Sequence, residues 1–342
     1  LYAYGLAESL RIVWPDLPLQ PATIGVIIAV GVLALVGAEK ALRAQMPLLI
    51  LVGISIAALA AGALHGREIE SLPLGGSSGS ITFWMGFAVF FPAVTGVMAG
   101  LGMSGDLADP MRSLPRGAFA AVGTGLIIYL IVPVLLAIGA TPEQLRNEPL
   151  VWAKIAPLGP VLILPGLWAA IFSSALGSIL GAPRTLAALA RDGLAPRIFA
   201  RVKDSNPDLT PALIGSALLA LAAVFIGDLN AVASVVTMFF LTVYGTVNFV
   251  AAFESLSGDP SWRPSLRSPW LVNLFGGVAC LAVMLLISPG IGLVAMVAEL
   301  LLWLGLSRRE RQAGWGDARR GLYESLIRWT LVRLAQHPMT SR

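Results

Sequence analysis

Nine apolar runs, each long enough to cross a bilayer, leave this chain little choice of fold. They lie near 22–38, 46–64, 81–103, 118–140, 158–181, 210–226, 230–252, 270–288 and 290–306, and residues 1–13 read as the outer end of another span. Hydrocarbon offers no water to pair a backbone N–H or C=O, so runs of this kind cross as helices. The chain is 57 % hydrophobic and 12 % charged, a balance no soluble domain of this size shows. No segment reads as a strand. The expected class is an all-α polytopic membrane protein, with a transmembrane domain over 1–306 and a basic cytoplasmic segment over 307–342, a linker followed by an amphipathic helix.

The loops carry an orientation. Of 23 Lys and Arg, only Arg11, Arg67, Arg146 and Lys154 fall in one alternate set; the others lie in 39–45, 104–117, 182–209, 253–269 and 307–342. Cytoplasmic loops hold such an excess, which predicts a plasma (inner) membrane protein with its C-terminus in the cytoplasm. The net charge of +4 is then a topology signal and implies no nucleic-acid partner. One cysteine, Cys280, lies in a span and excludes a disulfide framework. Arginine far outnumbers lysine, which suggests a GC-rich, bacterial coding sequence. Leu1 follows no initiator Met, so the reading predicts an N-terminally truncated chain whose first spans are missing. Near the other end, Leu322, Leu326, Ile327, Val332 and Leu334 form an apolar stripe among Arg319, Arg320, Arg328 and Arg333. That pattern suits a basic amphipathic helix on the inner leaflet, or equally a fraying tail.

The run 81–103 is interrupted by Pro92, Thr95, Gly96 and Gly100. Pro92 has no N–H and crowds the carbonyl four residues back, so the helix ladder opens there. Opened backbone survives in hydrocarbon only where it is buried in protein or lines a cavity, and it usually marks a solute or ion site in a secondary transporter. Carbonyls near Phe91 and Pro92, with the Thr95 hydroxyl, offer hard oxygens to a desolvated cation. The amides of Gly96, Val97 and Met98 would begin a new half-helix and favour an anion. The competing reading is a proline kink, with Gly96-x-x-x-Gly100 as a close-packing motif.

Two further groups stand within spans. Ser173 and Ser174 are adjacent hydroxyls, one turn after the Ala170 carbonyl, and together suit Na⁺; serines in spans also commonly bond back to their own helix. Tyr244 needs a partner for its hydroxyl, an anion or a carbonyl. Glu8 and Glu299 are the acidic residues within spans; Glu299 is a proton site or a hydrogen-bonded interface residue. Gly75-Gly-Ser77-Ser-Gly79 matches a hydrolase nucleophile pattern by spelling only, in a loop with no strand before it. ATP-binding and metalloprotease patterns are absent, and no enzymatic activity is expected.

With these residues assembled, the chain resembles the cation-chloride cotransporters, part of the amino acid-polyamine-organocation superfamily. Tyr2-x-x-Gly5-x-Ala7-Glu8 resembles the end of that family's third span, and FFPAVTGVMAG with SGDLADP its sixth span and following loop. SSALGSILGAPRTLAALARDG resembles the eighth, GDLNAVASVVTMFFLTVYGTVNF the tenth, and Ser261-Trp-Arg-Pro264 the loop after it. WGDARRG at 315–321 is similar to the join with a cytosolic domain.

The resemblance implies a LeuT-type inverted-repeat transporter fold, partial because the first spans are missing. It implies potassium binding by Tyr2, Pro92 and Thr95, and chloride binding by the amides of Gly96, Val97 and Met98 with the Tyr244 hydroxyl. Sodium would be held by Ala170, Ser173 and Ser174; the sodium-independent potassium-chloride branch lacks both serines. The implied activity is electroneutral symport of chloride with potassium and sodium by alternating access. The partners are then inorganic ions and the lipid bilayer, with homodimerisation open, and no cofactor beyond the transported ions is needed. An amino acid permease is the rival, since DLADPMRSLPR echoes that larger group, but Val97 stands where those permeases often carry an acidic residue. A transport-inactive regulatory or scaffold subunit is the other alternative.

Overall fold

Pairing of backbone groups within each apolar run makes helices of them. The computed structural model describes residues 1–36, 43, 45–65, 83–102, 104–203, 206–207, 209–227, 229–257, 264, 266–310, 327 and 330. In chain order the helices are α1 (Tyr2–Arg11), α2 (Leu19–Val36), α3 (Gln45–His65), α4 (Phe83–Phe90), α5 (Val97–Gly102), α6 (Pro110–Gly139) and α7 (Pro142–Asn147). There follow α8 (Val151–Ile155), α9 (Pro160–Arg191), α10 (Thr210–Ala223), α11 (Leu229–Ser257), α12 (Trp270–Ile287) and α13 (Pro289–Glu310).

Among the described residues, five helices are long and apolar enough to cross a membrane: α3, α6, α9, α11 and α12. The other four expected spans appear as shorter apolar helices over Leu19–Leu35, Phe83–Val94, Thr210–Ala223 and Pro289–Gly305. Two helices outrun the apolar runs that predict them. Asp109 caps α6, accepting from the Arg112 amide at 3.3 Å with Pro110 at the first turn, so the helix starts before its apolar stretch. Helix α9 runs on past 181 to Arg191 with Pro183 inside it. The connection 184–209, which shows no strand pattern, contains a two-residue antiparallel ribbon, Val202–Lys203 with Asn206–Pro207; Asn206 precedes a proline, which favours extended backbone. Residues 66–82, Ser261–Trp–Arg, residues 311–326 and nearly all of the rest of the basic C-terminal segment lie outside the described residues.

The chain divides into two compact units. The first comprises Leu1–Thr82, Ala93–Arg191 and Ala195–Ala233. Its centre is α9, packed on α1, α3, α5 and α10. Leu176 and Leu180 of α9 meet Val30 of α2, while Leu59 and Ala63 of α3 meet Leu135 of α6. Lipid tails are as apolar as leucine, so close van der Waals fit rather than burial from water drives such contacts. Small residues permit it: a Cβ on Gly166 would stand 2.3 Å from the Ser55 Cβ, and one on Gly62 1.9 Å from the Ile155 carbonyl oxygen. The Tyr4 hydroxyl donates to the Val224 carbonyl at 2.6 Å, fastening α1 to the 3₁₀ turn Val224–Ile226 that ends α10.

The second unit comprises Phe83–Pro92, Asp192–Leu194 and Ser234–Arg342. Here α12 packs on α4 and α13, and Met238, Leu241 and Met284 form a cluster that Phe91, Cys280 and Ile287 extend. Gly276 and Gly277 admit Asn248 and Phe249 of α11. Two of the unit boundaries fall at Pro92–Ala93, within the interrupted run, and at Ala233–Ser234, within α11.

Candidate functional site

The interruption in 81–103 is real backbone geometry. Helix α4 ends at Phe90, a 3₁₀ turn occupies Phe91–Val94, and Thr95 and Gly96 are not helical before α5 restarts at Val97. Gly96 has φ +119°, a conformation side-chain-bearing residues rarely adopt, so a glycine is what lets the chain re-enter a helix here. A restarted helix leaves its first N–H groups without intrahelical acceptors, which puts those of Val97 and Met98 directly after the turn.

Each unit holds its side of the interruption. In the second, the Thr237 hydroxyl of α11 donates to the buried Ala88 carbonyl at 2.7 Å. Phe91 lies edge-on to Tyr244 with centroids 6.5 Å apart, and Phe240 stacks on the same tyrosine at 5.9 Å. In the first, the Tyr129 hydroxyl of α6 donates to the Ala93 carbonyl, and Gly102 of α5 lies against Gly181 and Thr185 of α9.

The serine pair is compact. Ser173 and Ser174 both donate to the Ala170 carbonyl, at 3.1 and 2.9 Å, placing three oxygens in one small cluster on α9. Ala170 lines a cavity of about 520 Å³ together with Glu8, Ser9 and Ser55. A second cavity, about 640 Å³, is lined by Glu8, Arg11, Glu148 and Lys154 and shares Glu8, Ile12, Pro149 and Leu150 with the first. Lys154 pairs with Glu148 at its rim. Tyr2 lines a different, mostly apolar cavity of about 230 Å³ beside Tyr4, Thr23 and Ser178. The structure thus brings Ala170, Ser173 and Ser174 together, and sets Gly96, Val97 and Met98 in one turn. Tyr2 and Ala170 line separate cavities, and Thr95 lines neither.

A family model for amino acid permeases matches residues 4–340, nearly the whole chain. The chain belongs to the amino acid permease family. It is a multi-pass membrane protein with that family's all-helical fold. Among curated proteins it is similar to potassium/chloride cotransporter 3 of Caenorhabditis elegans, 32 % identical over 276 residues, which is 77 % of this chain and 26 % of that protein. The chain spans about a quarter of that relative's length.

In this permease the residues that sequence reasoning missed are those that close hydrogen bonds over long separations. Thr237 and Ala88 lie 149 residues apart, Tyr129 and Ala93 36 apart. The signal for the first was available in part: a proline must orphan the carbonyl four residues back, and Thr237 precedes Tyr244 by two helical turns. Glu299 accepts from Thr246, the hydrogen-bonded arrangement weighed for it as an alternative to a proton site.

Proposed function

We propose that this permease is a secondary symporter that carries chloride together with potassium, with sodium held at a separate site, by alternating access around the opened span. The observation that carries the reading is the interruption itself: α-helical pairing gives way to a 3₁₀ turn at Phe91–Val94 and to non-helical backbone at Thr95 and Gly96, followed by the restart at Val97. Freed carbonyls and the Thr95 hydroxyl suit a dehydrated cation, with Tyr2 and Pro92 as further ligands. The N–H groups of Gly96, Val97 and Met98 suit a halide, with the Tyr244 hydroxyl as another donor. One halide carried with each alkali cation leaves the step electroneutral, so sodium carried beside potassium would bring a second halide. The name of the C. elegans relative supports potassium and chloride. Sodium rests on Ala170, Ser173 and Ser174 alone: both hydroxyls turn toward the carbonyl, and the three oxygens so gathered would offer a cation their lone pairs.

Reconstitution in liposomes tests this. Rubidium uptake should require chloride and fall when gluconate replaces it. Thr95→Ala and Tyr244→Phe should each weaken apparent affinity about tenfold, the scale of one hydrogen bond or ligand to a charged group. Ser173→Ala with Ser174→Ala should abolish any sodium dependence and spare chloride dependence. Unchanged rubidium uptake in the first two variants would remove the assignment, and amino acid uptake indifferent to chloride would replace it with an amino acid substrate.

A further inference from the structure

In an uninterrupted helix the carbonyl of Ala88 accepts from the N–H of residue 92. That residue is Pro92, which has none. The orphaned carbonyl sits where water does not reach: Ala88 is 4 % exposed and Thr237 fully buried. A buried carbonyl left unpaired there is costly, and the Thr237 hydroxyl supplies the missing donor at 2.7 Å. The other threonines further along α11 behave differently. Thr242 and Thr246 donate to the carbonyls of Met238 and Thr242 in their own helix, at 2.8 and 2.9 Å, the ordinary intrahelical habit. Beyond their own helix these two reach side chains, the Met284 sulfur and the Glu299 carboxylate; Thr237 alone of the three gives its hydroxyl to a backbone carbonyl of another element.

Thr237 and Tyr244 stand seven positions apart, two turns on one face of α11. The same face therefore bonds the carbonyl that Pro92 orphans and lays a tyrosine ring against Phe91, the residue before the proline. We propose that Thr237 is a positioning residue of the opened span: its hydroxyl stands in for the Pro92 N–H and so fixes how the 3₁₀ turn Phe91–Val94 points its carbonyls. For its consequence on ion affinity, this rests on the cation site proposed above; the fixing of the turn does not.

The test compares Thr237→Val, which keeps shape and removes the donor, with Thr237→Ser, which keeps the donor, in the whole protein reconstituted in liposomes. The half-saturating rubidium concentration should rise about tenfold in the valine variant while the maximal rate stays within about twofold, and serine should restore it. Hydrogen exchange of peptides covering 88–100 should quicken about tenfold in the valine variant only. Valine indistinguishable from the parent in both readouts, or serine failing as valine does, overturns the proposal. A parent whose uptake ignores rubidium and chloride would remove the ion reading, and the exchange measurement would still decide the positioning. Where Thr237→Val does not fold, adding Pro92→Ala returns an N–H to the Ala88 carbonyl. Recovery of the melting temperature supports the proposal, and no recovery overturns it.

Discussion

At Gly96 the backbone takes φ +119°, and no neighbouring heavy atom lies within 4 Å of where a Cβ would stand. A side chain there is refused by its own backbone, not by packing. Gly96→Ala should therefore cost about 1–2 kcal/mol of stability, the penalty for holding an L-residue at positive φ. Transport should suffer more than the melting temperature does, because relief of the strain would swing the amides of Gly96, Val97 and Met98. Thermal unfolding beside rubidium uptake in liposomes measures both; an alanine variant with full uptake would separate the turn from function. Thr237 works at the same scale by the opposite means. Its contribution is a donor rather than a conformation, and only a structure reveals which carbonyl it meets.

Among elements, the packing of α3 against the segment 151–156 is set by one glycine. A Cβ on Gly62 would fall 1.9 Å from the Ile155 carbonyl oxygen, which no rotamer change relieves because the obstacle is backbone. Gly62→Ala should cost about 3 kcal/mol or prevent assembly of the first unit. Gly53→Ala, on the same helix with nothing within 4 Å, should be neutral or slightly stabilising. Size-exclusion profiles and melting of the two detergent-solubilised variants test the contrast; equal behaviour would mean that the close approach of α3 is not a feature of the folded protein. The interruption of 81–103 was legible in advance because Pro92 and Gly96 act through local sterics. The start of α6 at Pro110 and the extent of α9 to Arg191 were not, since apolar runs report the bilayer and these helices outlast it. The ribbon at Val202–Lys203 and Asn206–Pro207 left no alternating pattern because two residues per strand are too few to make one.

For the whole molecule, hydropathy alone identified a multi-pass membrane protein, since hydrocarbon permits few solutions for backbone pairing. The oxygen cluster of Ala170, Ser173 and Ser174 could also be placed beforehand, because helical spacing brings residues three and four apart together. The cavity shared by Glu8 and Ala170 could not: it joins α1, α3 and α9 across more than a hundred positions. Identity of the solute stands on the opened span, which offers carbonyl oxygens on one side and amide hydrogens on the other. Crystals grown in rubidium bromide test that most directly, because both ions scatter anomalously. The account predicts a rubidium peak at the oxygens of Pro92 and Thr95 and a separate bromide peak at the amides of Gly96, Val97 and Met98. Anomalous maps empty at both places, at saturating salt, would contradict it.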